Sequence, residues 1–152
     1  MRPECRSAQL LSICPQIRIV LERMEIDSLQ GGRLDAHYLG YFECFNRQQF
    51  FEAHEVLEEL WLSERGQPRD LFYKGLIQLA GAFVHIQKQR PKPALALFRL
   101  AAQNLGRYPR IYESLDTVEI QKMIDNWQAR LENDSQFFEK LNAASWPQLS
   151  LS

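Results

Sequence analysis

His54 and Glu58 stand at i and i+4, the spacing that lets two side chains on a helix touch. An imidazole beside a carboxylate can share a proton or hold an ion pair. Where burial and pairing move either pKa towards neutrality, His54 or Glu58 can act as a general base. On a helical wheel of about 100° per residue with His54 at zero, Trp61, Phe50 and Leu57 fall to one side and Phe51 and Leu62 to the other. That placement predicts both polar residues inside an apolar arc. A carboxylate buried without a partner is costly, so Glu58 needs company there, and His54 is the nearest candidate. Glu52, Glu55 and Glu59 cluster on or near the opposite sector and read as a solvated face, with Glu55 at its edge and able to turn inward.

Further partners come from the segment that follows. Lys74, Gln78 and His85 share about 40° of arc on an otherwise apolar cylinder. Antiparallel pairing predicts Lys74 and Gln78 level with His54 and Glu58, and His85 further along. One reading of this set is a pocket in which His54 and Glu58 bind or act on a small polar ligand, Gln78 orients it and Lys74 supplies positive charge. The competing reading is a buried polar network that fixes helix register. Metal binding is a third and weaker reading: His54-Glu55-x-x-Glu58 is not the H-E-x-x-H zinc pattern and lacks the Glu-x-x-His pairs of di-iron bundles. No metal or other cofactor is therefore expected.

Other residue types support no further chemistry. Cys5, Cys14 and Cys44 are odd in number and lack C-x-x-C spacing, which argues against a disulfide framework or a zinc site and for a reducing, cytoplasmic setting. Cys44 reads as a small buried hydrophobe. The sequence has no nucleophile elbow, P-loop or dinucleotide fingerprint. Trp61 and Trp127 read first as core residues, each indole N–H seeking an acceptor.

The elements that must position His54 and its neighbours are helices. Asp35 is a plausible N-cap for a first helix through Tyr38, Leu39, Tyr41, Phe42 and Phe45, ending near Asn46. A second runs from Gln48 to Leu62. The loop Ser63 to Pro68 then leads to a third, Asp70 to Lys88, apolar on most of its circumference and therefore central. So short a loop makes the pair antiparallel. Pro91 and Pro93 separate it from a fourth helix, Ala94 to Leu105. Asp116-Thr117-Val118-Glu119 resembles a capping box for a fifth, with Ile120, Met123, Ile124, Trp127 and Leu131 at helical spacing. Between the fourth and fifth, Gly106 to Asp116 reads mainly as loop, and Ser135 to Leu141 as a last short helix. No strand signal of comparable length stands out, and the helix-hairpin rhythm only loosely resembles tetratricopeptide units.

A chain of 152 residues fits one domain, and 45% apolar with 24% charged residues is ordinary globular composition. The net charge of -1 argues against a nucleic-acid module. No apolar run reaches the roughly 18 residues of a membrane span. Residues 1–34 read as a poorly determined extension. Leu10 to Cys14 after Arg2 and Arg6 is weakly like a signal peptide, but Pro15 and Arg18 interrupt it and no small-residue cleavage site follows. Met24 opens a more coherent stretch, compatible with a natural start there.

The run Phe45-Asn46-Arg47-Gln48-Gln49-Phe50-Phe51-Glu52-Ala53-His54-Glu55-Val56-Leu57-Glu58-Glu59-Leu60-Trp61 resembles the signature of the domain-of-unknown-function family numbered 309. Arg69, Phe72, Gly75 to Ala80 and His85 are similar to the pattern of its next helix, and the resemblance covers about residues 38–108. It implies a compact all-helical domain and no established reaction. The family's His-Glu-x-x-Glu-x-x-Trp motif falls on His54, Glu55, Glu58 and Trp61, and its later polar positions on Arg69, Gln78 and His85. Where the family tends to have a Gly-containing turn after the third helix, this chain has Gln89-Arg90-Pro91-Lys92-Pro93, a stiffer connection.

The expectation is thus an all-α array of five or six helices around the 48–88 hairpin, with an extension over 1–34, a domain over 35–142 and a tail over 143–152. Its candidate site has His54 and Glu58 as catalytic groups and Glu55, Trp61, Arg69, Lys74, Gln78 and His85 as ligand-binding residues. The expected partner is a small polar ligand, or a second copy of the chain, with no nucleic acid and no membrane. The alternative is a non-enzymatic interaction or self-association module in which the histidine–glutamate network is structural.

Overall fold

The computed structural model describes residues 34–152; the expectations for residues 1–33 lie outside the described residues. Asp35 caps the first helix, α1 (Ala36–Asn46), its side chain accepting from the His37 N–H at 2.7 Å. Tyr38, Tyr41, Phe42 and Phe45 recur at helical spacing and are all buried. The buried tyrosines keep their hydroxyls bonded: Tyr41 donates to the Leu76 carbonyl at 2.7 Å and Tyr38 to the Glu113 carbonyl at 2.8 Å.

The next helix, α2 (Phe50–Ser63), starts two residues later than the sequence predicts. Gln48 has φ +61° and turns the chain between the two helices, a conformation no helix interior accepts. After the loop, α3 (Asp70–Gln87) is apolar through ten buried positions. It runs antiparallel to α2: Phe50 meets Phe83 at 5.1 Å near one end of the pair, and Trp61 meets Asp70 at the other. The fourth helix, α4 (Pro91–Leu105), begins three residues before the expected Ala94. Proline at the first position loses no hydrogen bond there, and its fixed φ suits a helix start. Contacts of Gly75 with Leu105 and of Gly81 with Leu97 show that α4 runs back along α3.

The stretch read as loop contains a small antiparallel hairpin, β1 (Ile111–Tyr112) and β2 (Leu115–Asp116). Its turn residues Glu113 and Ser114 both have positive φ, +49° and +61°, where Asn and Gly are the usual occupants. That unusual turn chemistry hid the hairpin. Asp116 then caps α5 (Thr117–Asn133), accepting from the Val118 and Glu119 N–H groups. A last short helix, α6 (Phe137–Lys140), lies within the span predicted for it.

The result is an all-α array centred on the α2–α3 hairpin. Phe83 is its hub, with Phe45, Phe50, Phe98 and Trp127 within 5.0–5.5 Å, ring centre to ring centre. Three of those four contacts are edge-to-face, the arrangement favoured by the ring quadrupole. Residues 143–152 fold back onto this core. Trp146 stacks on Trp127 at 6.1 Å, Leu149 is buried, and the Asn46 amide bonds both the carbonyl and the N–H of Leu149 at 2.8 and 2.7 Å.

Candidate functional site

His54 and Glu58 leave α2 on its flank rather than its buried face. Their side chains are 33% and 42% exposed, and His54 Nε2 lies 3.6 Å from a Glu58 oxygen. The buried face belongs to Phe50, Ala53, Val56, Leu57 and Leu60. The expected apolar arc counted Phe51 and Leu62 as core, yet each is more than half exposed, so the true arc is rotated away from His54. A half-exposed ion pair of this kind contributes little stability.

A shallow trough of about 310 Å³ runs along the outer face of α3. Phe51 and His54 of α2 form one wall and Leu97 of α4 the other. Ile77, Gln78, Gly81, Val84 and His85 line it from α3, and Lys88 borders the end. The Phe51 and His54 rings stack at 6.1 Å, nearly parallel at 19°, which makes that wall flat. Gln78 is held by Asn104, whose amide donates to its Oε1 at 2.7 Å. Among the described residues, the Nδ1 atoms of His54 and His85 are buried without a hydrogen-bond partner. For His85, burial and the nearby Arg90 and Lys88 charges push the imidazole pKa down, favouring the neutral ring.

The structure therefore brings His54, Gln78 and His85 into one concavity and distributes the other expected site residues elsewhere. Lys74 is level with Trp61, its ammonium 6.0 Å from the indole centre, while the Arg65 guanidinium lies at 5.4 Å. The Trp61 N–H donates to Asp70 at 2.6 Å, and the second Asp70 oxygen accepts from the Gly66 N–H at 2.8 Å. These bonds hold the Asp70 carboxyl below its usual range and clasp the loop between α2 and α3. Arg69 bonds Glu113 at 3.0 Å and approaches Glu64 at 3.8 Å, tying that loop to the β-hairpin. Glu55 lies near Glu59 and takes no part in the trough lining.

One polar cluster escaped the sequence reading. His37, 2% exposed, lies between Asp35 and Glu59, with 3.2 Å from Nδ1 to the first and from Nε2 to the second. Burial alone would lower the His37 pKa, but the two carboxylates outweigh it and raise it. Glu59 is also raised, because burial costs its carboxylate more than His37 returns and Glu55 adds repulsion. Asp35-x-His37 at a helix start was the available signal. A helical wheel places Glu59 on the solvated face, whereas α1 covers that sector of α2 and brings His37 to it.

Among the described residues, no three histidine, cysteine, aspartate or glutamate side chains group as a metal site requires, and no helix is long and apolar enough to cross a membrane. Residues 38–97 match the family described as "Domain of unknown function (DUF309)", the one that the His54 to Trp61 motif resembles. The chain is also 33% identical over 79 residues to "Uncharacterized protein YpuF" of Bacillus subtilis (strain 168). That alignment covers 51% of this chain and 45% of the relative, so less than half of the relative's length is matched. No solved structure matches.

Proposed function

We propose that this chain is a small-ligand-binding helical domain and that the α2–α3–α4 trough is its site. The observation that supports it is the meeting of His54, Gln78 and His85, from two helices, at the edge of one concavity with an apolar floor. An apolar pocket with a few convergent polar groups is the usual form of a small-molecule site. The reading favours binding over turnover, because among the described residues of the lining no hydroxyl, thiol or carboxylate stands ready as a nucleophile. If the bound molecule is also transformed, His54 with Glu58 behind its Nε2 is the pair to move a proton. Fragment screening by heteronuclear NMR on the whole chain tests the site. Hits should shift the amides of Phe51, Gln78, Gly81 and His85. Hits confined to the separate concavity between Ile120 and Leu149 would sink the proposal.

A second reading has its own support. Phe51 is 53% exposed at the trough rim, and Leu100, one turn beyond Leu97 on α4, is 44% exposed. Together they offer an apolar margin on which a helix of a second copy or another protein could lie. Sedimentation of the wild type against Phe51→Ser checks it. Concentration-dependent association lost in the variant supports docking, whereas an unchanged monomer removes it for self-association.

A further inference from the structure

Resting on the trough as a binding site, we propose that its ligand is a small organic acid, with one carboxylate held between Lys88 and His85 and a short apolar body against Phe51, Ile77 and Leu97. The argument is a count of donors and acceptors. The Gln78 carbonyl already accepts from Asn104 and keeps one lone pair at most, whereas among the described residues nothing engages its NH2, which has two N–H donors to offer. His85 Nδ1 is buried without a partner. An imidazolium would leave an N–H unsatisfied there, so the favoured form is neutral with its proton on Nε2, a donor. The lowered His85 pKa agrees. His54 Nδ1 is likewise buried without a partner among the described residues, and its Nε2 faces Glu58 at 3.6 Å, so His54 adds no free donor to the trough. Lys88 can only donate.

The free polar groups of the described lining are thus mainly donors, from Gln78, His85 and Lys88, and no carboxyl or hydroxyl group stands among them. Amines and polyols, which bring donors of their own, find little more than the remaining Gln78 lone pair to accept them. A carboxylate brings acceptors alone. Lys88, the one charged side chain among the described residues of the lining, matches a single negative charge, and Arg90 adds positive field two residues on. Size points the same way. About 310 Å³ is at the small end of ligand pockets, and the flat Phe51–His54 wall suits a ring or a short chain. Gly81 keeps the floor open, since a Cβ there would stand 3.2 Å from Leu97 Cδ1.

The test uses phenylacetate, hexanoate, phenylacetamide and phenethylamine, titrated into the labelled whole chain and followed by amide shifts. Both acids should saturate shifts at Gln78, Gly81, Val84 and His85, and phenylacetamide should bind about tenfold more weakly. Lys88→Gln, at an exposed position that folding does not need, should weaken the acids and leave the amide unchanged. Acid and amide binding equally in the trough, or the amine binding best, overturns the acid assignment while leaving the trough as a site. If no probe and no fragment shifts these residues in the folded protein, the binding site itself falls.

Discussion

His37 shows how much one side chain can depend on its neighbours. Its imidazole joins the N-cap of α1 to the far side of α2, and both ring nitrogens point at carboxylates. Because the folded pKa lies above the ordinary 6.5, its contribution to stability is fully present below about 6.5 and is lost as pH rises through the raised value. The groups that set it are Asp35 and Glu59, with Glu55 acting on Glu59. Histidine titration by NMR should place the His37 midpoint above 6.5 and that of His85 below it; the reverse order would refute both environments. Legibility at this scale was uneven. The Asp35 cap could be read because capping is local. Glu59 could not, because its partner is 22 residues away on a helix whose docking angle no local pattern encodes.

The elements were easier to read than the side chains they carry. Apolar residues at helical spacing mark α1, α3 and α5 unambiguously, and Asp116 marks where α5 begins. The boundaries that shifted did so for stated reasons, with Gln48 in a left-handed turn and Pro91 serving as a helix start. The connection after α3 follows the same rule, since Gln89 has φ +57° where a glycine is the usual occupant. The two glycines within α3 differ in what they do. At Gly75 a Cβ would come 2.9 Å from Leu105 Cγ and 3.3 Å from Asn104 Cβ, so α4 can approach only a residue without a side chain. At Gly81 the sole close atom is Leu97 Cδ1, at the movable end of a half-buried side chain. Gly75→Ala should therefore destabilise, by about 1–3 kcal/mol of overpacking less up to about 1 kcal/mol of helix propensity. Gly81→Ala should be neutral or stabilising, by up to about 1 kcal/mol. Urea unfolding of both variants measures the difference, and equal losses would contradict the α3–α4 geometry.

At the scale of the whole molecule, the aromatic hub at Phe83 and the returning tail are one device. The tail supplies Trp146 to the cluster around Phe83 and Trp127, and it is fastened at Asn46 and again at Ser114, which accepts from the Ser152 N–H at 2.8 Å. The sequence offered Trp146-Pro147 as an ending with no periodicity to place it, and a partner 103 residues away lies beyond any local pattern. Asn46→Ala removes two hydrogen bonds and should cost about 1–3 kcal/mol. Thermal unfolding should shift downwards and amide exchange at Leu149 to Ser152 should quicken; slow exchange there in the variant would show that the tail is held by other means. The distance between the two fastened points also bears on biosynthesis. A nascent chain that has emerged only as far as α6 can assemble its helices but still shows the bare ring faces that Trp146 later covers. Such a partly made species has sticky surface, and a chaperone competing for it would meet the newborn protein just before residues 143–152 close the seam.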